Sequence, residues 1–426
     1  MAAVAVGAVL ELEVTALAAG GDGIARQDDG RVVFVEGALP GERVRAEVVE
    51  AKKDFARLQT IAIVSASPDR VEPPCPQVAL GCGGCDLLHA AGEAQGRLKR
   101  SIVVDALRRL GGVIDAEELV VEAVRRVPDA GYRTTVRAVV DEHGRAGLRR
   151  RRSHDPVAFD RCLVAHPLVE EVLVEGRFGS AREVTVRVGV SSQERLVIIG
   201  PRIPKHGVSV PEGVRIVPGH ALARPIQGRN EPAIHEDIGG RTWRVSARSF
   251  FQSGPAAAQL LVDVVSAAVA PVLDEAGAGA ALVDAYAGVG LLGGAIVGPR
   301  PDVRLIAIES HPSAVSDARR NLGGIDCDVV SSPVADIEMA GGAASAPDVV
   351  IADPSRTGLG ADGAAALAAL NAELFVLVSC DPASFGRDTR VLASMGYRLV
   401  AAHVLDLFPG TSHVETVATF VRGRAR

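Results

Sequence analysis

Four of the six cysteines in this chain are spaced as metal ligands would be. Cys75, Cys82 and Cys85 lie in one short segment rich in glycine and proline, and Cys162 follows further along. So few cysteines in a chain of 426 residues, for which we expect no export signal, indicate metal binding or catalysis rather than disulfide bonds. Four thiolates can hold zinc or a [4Fe–4S] cluster, and the ligand types alone do not decide between them.

A further cysteine, Cys380, is a candidate nucleophile. It ends the apolar run F-V-L-V-S-C, and Asp381-Pro382 stops the strand there, which leaves the thiol at the rim of a sheet. A cysteine at the end of a buried strand is often only a small hydrophobe, and Cys327 fits that interpretation better. Glu415 lies among apolar neighbours, and partial burial would raise its pKa and suit it to proton transfer.

A cysteine and a carboxylate suit methylation of carbon 5 of uracil, because that carbon is a poor nucleophile by itself. Addition of a thiolate to carbon 6 turns carbon 5 into an enolate carbon that can accept a methyl group. A carboxylate then removes the carbon 5 proton and the thiol is eliminated, so that one difficult step becomes several easier ones.

A glycine loop after a predicted strand offers a site for the methyl donor. In A-L-V-D-A-Y-A-G-V-G-L-L, Gly288 and Gly290 let the backbone approach a ligand at the edge of a doubly wound sheet. Glu309 ends the next strand about 20 residues on, where a carboxylate accepts hydrogen bonds from ribose hydroxyls. The third glycine of dinucleotide sites is not at its usual position, which favours S-adenosylmethionine. Asp353 ends another strand at the same edge.

The elements that must position these residues fall into three predicted domains, because 426 residues exceed what one core usually serves. Residues 1–67 read as strands separated by turn glycines, typical of a small OB-like β-barrel. Residues 68–238 combine the cysteine segment, a helix and further strands in an α+β pattern. Residues 239–426 alternate continuous apolar runs with helical segments, which predicts a parallel, Rossmann-like α/β sheet.

The charge pattern restricts the partners less than the motifs do. A net charge of −6 gives no overall sign of a polyanion partner, but four arginines in succession at 149–152 would suit RNA phosphates. A charge run in isolation is more often a solvated surface. No segment is expected to span a membrane. We expect a monomer in a reducing cytoplasm.

Six motifs, in order along essentially the full length, resemble those of the RNA uracil-C5 methyltransferases with an N-terminal TRAM domain and an iron–sulfur cluster. G-R-V-V-F-V-E-G-A-L-P-G-E-R-V resembles a TRAM barrel, C-P-x(5)-C-G-G-C the cluster loop and S-F-F-Q the start of the catalytic domain. D-P-S-R-T-G-L, S-C-D-P and F-P-G-T-S-H-V-E resemble the family's D-P-P-R-x-G, S-C-N-P and F-P-x-T-x-H-V-E. The resemblance implies a class I methyltransferase domain behind a TRAM barrel and a central iron–sulfur domain.

The resemblance also implies residue roles. Cys380 corresponds to the nucleophile and Glu415 to the general base. Together with the glycine loop, the positions implied to contact S-adenosylmethionine are Gln252, Tyr286, Gly288, Gly290, Glu309 and Asp353. The implied ligands of a [4Fe–4S] cluster, with a structural role, are Cys75, Cys82, Cys85 and Cys162.

The chain departs from the family's pattern at three places. Leu291 replaces a polar residue after the glycine loop, so one cofactor contact is expected to be missing. Ser253-Gly254 stands where an Asn-containing run is usual. Asp381 replaces an asparagine beside the nucleophile, and its charge is expected to raise the pKa of the thiol.

Two other functions stay open. A methyltransferase acting on an exocyclic amine would leave Cys380 and Glu415 without a role. An iron–sulfur RNA-binding protein with a decayed catalytic domain is favoured by the departures at Leu291 and Asp381. The expected substrate is a uridine in structured RNA, flipped out or in a loop, and Phe250 or Phe251 could stack on it. We favour 23S ribosomal RNA over transfer RNA, since a barrel plus a cluster suits a large folded target.

Overall fold

A computed structural model describes residues 5–27, 29–200, 202–219, 231–337 and 346–423. An N-terminal sheet precedes a central sheet with two small two-stranded sheets, and an eight-stranded sheet lies in the C-terminal part. Most of the helices pack around this last sheet, at whose edge the candidate catalytic residues lie.

The N-terminal region is a six-stranded sheet with a core of its own. Its strands are β1 (Val9–Glu13), β2 (Ala16–Leu17), β3 (Gly23–Arg26), β4 (Val32–Glu36), β5 (Arg43–Ala51) and β6 (Phe55–Ser65). They are ordered β1-β5-β6-β4-β3-β2. Buried residues alternate with more exposed ones along β4 and most of β5, so one face of the sheet is buried. Register shifts between β5 and β6 interrupt their regular pairing, as bulges do in bent strands.

The described part of the central region contains three α-helices and most of the short strands. The helices are α1 (Gly92–Ala106), α2 (Ala116–Leu119) and α3 (Pro167–Glu175). The strands are β7 (Arg125–Arg126), β8 (Thr135–Val140), β9 (Ala146–Arg149), β10 (Pro156–Ala158), β11 (Arg177–Phe178), β12 (Glu183–Val188), β13 (Arg195–Gly200), β14 (Val208–Ser209), β15 (Val214–Pro218), β16 (Ala233–Ile238) and β17 (Arg241–Ser246). Six of them form a sheet in the order β10-β9-β8-β12-β13-β15.

The C-terminal region is a layered α/β structure. Its helices are α4 (Pro255–Ala276), α5 (Leu291–Val297), α6 (Pro312–Asn321), α7 (Gly360–Ala368) and α8 (Pro382–Ser394). Its strands are β18 (Ala281–Ala285), β19 (Arg304–Glu309), β20 (Cys327–Ser331), β21 (Val349–Ala352), β22 (Leu374–Ser379), β23 (Tyr397–Asp406) and β24 (Glu415–Arg422). The order β20-β19-β18-β21-β22-β24-β23-β7 is parallel up to β22, and β24 is antiparallel to its neighbours. Every residue of β21 and β22 is buried, which explains their unbroken apolar sequence.

Two elements of the predicted central domain pack on this C-terminal sheet. β7 pairs with β23 and is the last strand of the sheet. α1 shares a core with α8 and the sheet. Lys99 of α1 is fully buried and donates to Asp406 Oδ1 at 2.5 Å, at the end of β23. A buried charge needs such a partner. The pair also holds α1 next to the segment that leads to Glu415.

We expected no segment to be long and apolar enough to span a membrane. Judged by length and composition alone, one helix is, so that expectation is wrong. Helix α4 has 22 residues and a mean hydropathy of 1.9 in its most apolar window. Its apolar residues include Leu261, Val265 and Val269, which are buried in the core shared with the C-terminal sheet. This is how the core helix of a layered fold packs, and such a helix passes the same test.

Candidate active site

A cavity of about 500 Å³ opens where the parallel strands of the C-terminal sheet end. This volume lies within the usual range of small-ligand sites. The predicted catalytic and cofactor residues that line it are Gln252, Tyr286, Gly288, Glu309, Asp353, Cys380 and Glu415. Gly290 is not part of the lining. It caps α5 with a φ of 88°, in the left-handed region that favours glycine.

Cys380 is placed by the end of a strand and the start of a helix. β22 stops at Ser379, and Asp381 then caps α8 by accepting from the backbone N–H of Ser384 at 2.7 Å. Burial raises the pKa of the Cys380 thiol to about 11, and the neighbouring carboxylates of Glu415 and Asp353 add to the increase. The charges that raise this pKa are therefore those two, whereas the carboxylate of Asp381 faces the helix terminus.

Three carboxyl groups line the cavity: those of Asp284 and Glu415 are buried, and that of Asp353 is partly buried. Burial raises the pKa of Asp284 to about 7 and that of Asp353 to about 7, and each is raised further by an acidic neighbour. Burial, followed by the charge of Asp353, raises the pKa of Glu415 well above its usual range, while Arg356 acts in the opposite direction. Like charges so close cannot all ionise readily. The cavity therefore favours a cationic ligand or a protonated carboxyl group.

The glycine loop is held by the two acids that flank it. Glu309 accepts from the backbone N–H of Gly288 at 2.8 Å, and Asp284 accepts from that of Gly293 at 2.8 Å. A Cβ on Gly293 would lie 2.8 Å from Asp284 Oδ2, so only glycine lets α5 approach this closely. Tyr286 has a φ of 61°, a costly conformation for a tyrosine and one that clusters at ligand sites.

Sequence reasoning missed Asp284 and Arg356, which also line the cavity. Asp284 Oδ1 is buried and has no hydrogen-bond partner among the described residues. Its position at the end of a buried strand, directly before the glycine loop, was the available signal. Of the two aromatic candidates, Phe251 packs against the core, whereas Phe250 is 69% exposed at the cavity.

The four predicted cluster ligands line a second, smaller cavity beside the central sheet. Cys75, Cys82, Cys85 and Cys162 are all free thiols there. Burial raises the pKa of Cys85 to about 12, and the nearby Cys162 contributes to the increase. Among the described residues, however, no group of three or more His, Cys, Asp or Glu side chains is placed as a metal site. The sulfur donors suit a metal and converge on one cavity, but their positions are not those of a closed coordination shell.

The arginine run is only partly available to a ligand. Arg151 and Arg152 each pair with both Asp22 and Glu36 of the N-terminal sheet, at 2.8–3.2 Å. Arg149 and Arg150 remain exposed. The phosphate track of four arginines stays a prediction, and two of its members also join the cysteine region to the N-terminal sheet.

Comparisons with known proteins agree with this architecture. The TRAM domain family matches residues 3–58, which confirms the N-terminal TRAM domain. An uncharacterized RNA methyltransferase of Streptomyces avermitilis is 36% identical over 426 aligned residues, covering 96% of this chain and 97% of that protein. Another from Corynebacterium glutamicum is 31% identical and covers 98% of this chain and 97% of its own length.

The fold is shared with a solved enzyme over nearly the whole chain. The crystal structure of Pyrococcus abyssi tRNA (uracil-54, C5)-methyltransferase in complex with S-adenosyl-L-homocysteine superposes with a TM-score of 0.69. The alignment covers 97% of this chain and all of that chain at 22% identity. This confirms a methyltransferase fold of mixed α/β type.

Proposed function

This chain belongs to the RNA methyltransferases, and we propose that it methylates carbon 5 of a uridine in structured RNA with S-adenosylmethionine as donor. One observation carries the proposal: Cys380, Glu415 and the glycine loop surround a single cavity. A methyltransferase acting on an exocyclic amine would need neither the thiol nor the buried base.

In the proposed reaction, the sulfur of Cys380 bonds to carbon 6 and the displaced electron pair makes carbon 5 nucleophilic. Carbon 5 takes the methyl group that S-adenosylmethionine would supply, and the methyl–sulfur bond of the donor breaks to leave a neutral thioether. Glu415 then takes the proton from carbon 5, and the bond between carbon 6 and the sulfur of Cys380 breaks to release the thiolate. Burial and the neighbouring acids favour the protonated thiol of Cys380, so its proton must leave before the sulfur bonds to carbon 6. A cation in the cavity lowers the pKa of the thiol and of the acids, because opposite charges favour the ionised forms.

The cofactor would lie against the glycine loop. Glu309 would accept from ribose hydroxyls, and Gln252, Tyr286 and Asp353 would line the remaining walls. Leu291 and Leu292 make that wall apolar, in agreement with the polar contact expected to be missing. The unpartnered oxygen of Asp284 supplies an acceptor for a donor group of the ligand.

We also propose a [4Fe–4S] cluster at Cys75, Cys82, Cys85 and Cys162. Their convergence on one cavity and the sulfur-only donor set support it. The cluster would supply a structural cross-link between the cysteine segment and the central sheet, since the reaction above moves no electrons.

RNA containing 5-fluorouridine tests the reaction class. Fluorine on carbon 5 cannot be removed as a proton is, so the adduct with Cys380 should persist on a denaturing gel. Cys380→Ala should abolish it. Cys327→Ala is a matched control, because burial raises the pKa of that thiol to about 11 as well.

An adduct that survives in Cys380→Ala would refute the assignment of the nucleophile. RNA binding without any adduct would instead favour the alternative of an RNA-binding protein with a decayed catalytic domain. Mapping of 5-methyluridine in ribosomal and transfer RNA of cells lacking the protein would then identify the substrate. We propose 23S ribosomal RNA as the first to examine.

A further inference from the structure

The loop that carries the proposed base is held by side chains from outside the catalytic sheet. Residues 407–414 connect β23 to β24; His413 lies near the end of this loop, and Glu415 begins β24. Gly410 donates to Gln95 Oε1 at 2.7 Å and accepts from the backbone N–H of Leu87 at 2.9 Å. The carbonyls of Phe408 and Pro409 accept from Lys99 and Tyr132 at 3.1 and 2.9 Å; these two donors lie in α1 and ahead of β8.

Asp86 contacts Ser412, close to the end of this loop. Its Oδ1 accepts from the backbone N–H of Ser412 at 2.6 Å, and its Oδ2 accepts from Ser412 Oγ at 2.7 Å. Ser412 is only 4% exposed and precedes His413 directly. Asp86, Ser412 and Cys380 also line one cleft that adjoins the main cavity at the thiol.

Asp86 follows Cys85 directly in the chain. The segment that carries three of the four clustered cysteines therefore contacts, through Asp86, the loop that precedes the proposed base. Both oxygens of a partly buried carboxylate are used on a single residue of that loop. A carboxylate that accepts two hydrogen bonds fixes orientation more tightly than one hydrogen bond does.

We propose that Asp86 is a positioning residue for methyl transfer, holding Ser412 so that Glu415 can reach the carbon 5 proton. This inference rests on the proposed function. Asp86 does not touch the reacting atoms. Its loss should slow proton removal while leaving addition of the thiol intact, because Cys380 is placed by β22 and α8 instead.

The test uses the full-length protein, methyl-labelled S-adenosylmethionine and total RNA from cells that lack the protein. With Asp86→Ala, labelled methyl should accumulate in an RNA–protein adduct, and release of methylated RNA should slow by about 10- to 100-fold. The KM for S-adenosylmethionine should change little. Asp86→Asn can keep both contacts and should recover most of the rate. Asp69→Ala, which removes an exposed partner of Arg97 on the same segment, is the control.

Release at the wild-type rate by Asp86→Ala would overturn the positioning role. An equal loss of adduct and product in Asp86→Ala, not rescued by asparagine, would also overturn it and indicate a folding defect. Ser412→Ala is a second test. It removes the hydroxyl contact with Asp86 and keeps the backbone contact, so it should slow release by a smaller factor. Absence of labelled RNA with the wild-type protein would refute the proposed function itself.

Discussion

At the scale of single residues, the proposed reaction depends on which groups of the candidate active site are protonated. In the proposed reaction, the thiol of Cys380 must ionise beside acids that cannot all be charged together. Burial alone makes each ionised form expensive, and the neighbouring charges increase the cost. We infer that the site reaches its reactive protonation state only when substrate and methyl donor are bound, and not before.

Replacement of the proposed base should leave formation of the RNA–protein adduct intact and slow the release of methylated RNA. Glu415→Gln keeps the shape of a side chain that is 4% exposed but cannot accept the carbon 5 proton. The adduct with unmodified RNA should therefore accumulate, and turnover should fall by about 100-fold or more, within the range of general-base contributions. A denaturing gel with labelled RNA measures this. Rapid release of product by the variant would contradict the role of Glu415.

The buried acid before the glycine loop should make stability depend on pH. The folded-state pKa of Asp284 is about 7, above its usual 3.8, so the folded protein retains the proton longer than the unfolded chain. Its stabilising contribution is complete below pH 3.8 and is lost as pH rises through about 7. At 1.36 kcal/mol per pKa unit, the loss amounts to at most roughly 4 kcal/mol.

Asp284→Asn should remove that dependence. Its amide oxygen can still accept from Gly293, so the free energy of unfolding of the variant should exceed that of the wild type at pH 8 by more than at pH 5. Urea unfolding at both pH values measures the difference. Asp105→Asn, at an exposed carboxylate on α1, is the control. A difference that does not vary with pH would contradict the assignment.

At the scale of elements, the connections between the regions matter as much as the regions themselves. Asp22, whose side chain is 6% exposed, accepts from Arg57, Arg151 and Arg152 and so joins the N-terminal sheet to the cysteine region. Two of them, Arg151 and Arg152, belong to the run that was predicted from sequence to bind phosphate. Asp22 lies 129 residues or more away from these two, and no local pattern reveals the pairing.

Removal of this carboxylate should loosen the junction. Asp22→Ala leaves three guanidinium groups without a shared partner and should reduce the free energy of unfolding by about 1–3 kcal/mol. Urea unfolding measures the loss, and limited proteolysis should show faster cleavage between the N-terminal sheet and the cysteine segment. Glu11→Ala removes an exposed pair with Arg43 on the same sheet and should cost under about 1 kcal/mol. Equal losses in the two variants would exclude a junction role.

At the scale of the whole molecule, the cysteine cavity is lined by residues of the central region. Cys162 approaches it from the central region, and the other three cysteines come from the segment that continues to Asp86. A metal held there would link distant parts of the chain, and its binding free energy would add to that of folding.

Anaerobically prepared protein should contain about four iron atoms and four sulfides per chain. Cys162→Ser should lower the iron content and the Tm, because one ligand and one link are lost together. Cys327→Ser should change neither, since that cysteine lies in β20 away from the cavity. Zinc in place of iron would show that the choice of metal is wrong.

The amino-acid sequence predicted the proposed chemistry and the mixed α/β class of fold. Strand ends and glycine turns are local signals, and the order of the motifs placed Cys380, Glu415 and Glu309 at one edge of a parallel sheet before any coordinates. Only the tertiary structure decided which groups face them. The unpartnered oxygen of Asp284, the pairing of Arg151 and Arg152, and the contact of Asp86 with Ser412 depend on residues far apart in the chain. Such contacts follow from packing, which periodicity and local motifs do not encode.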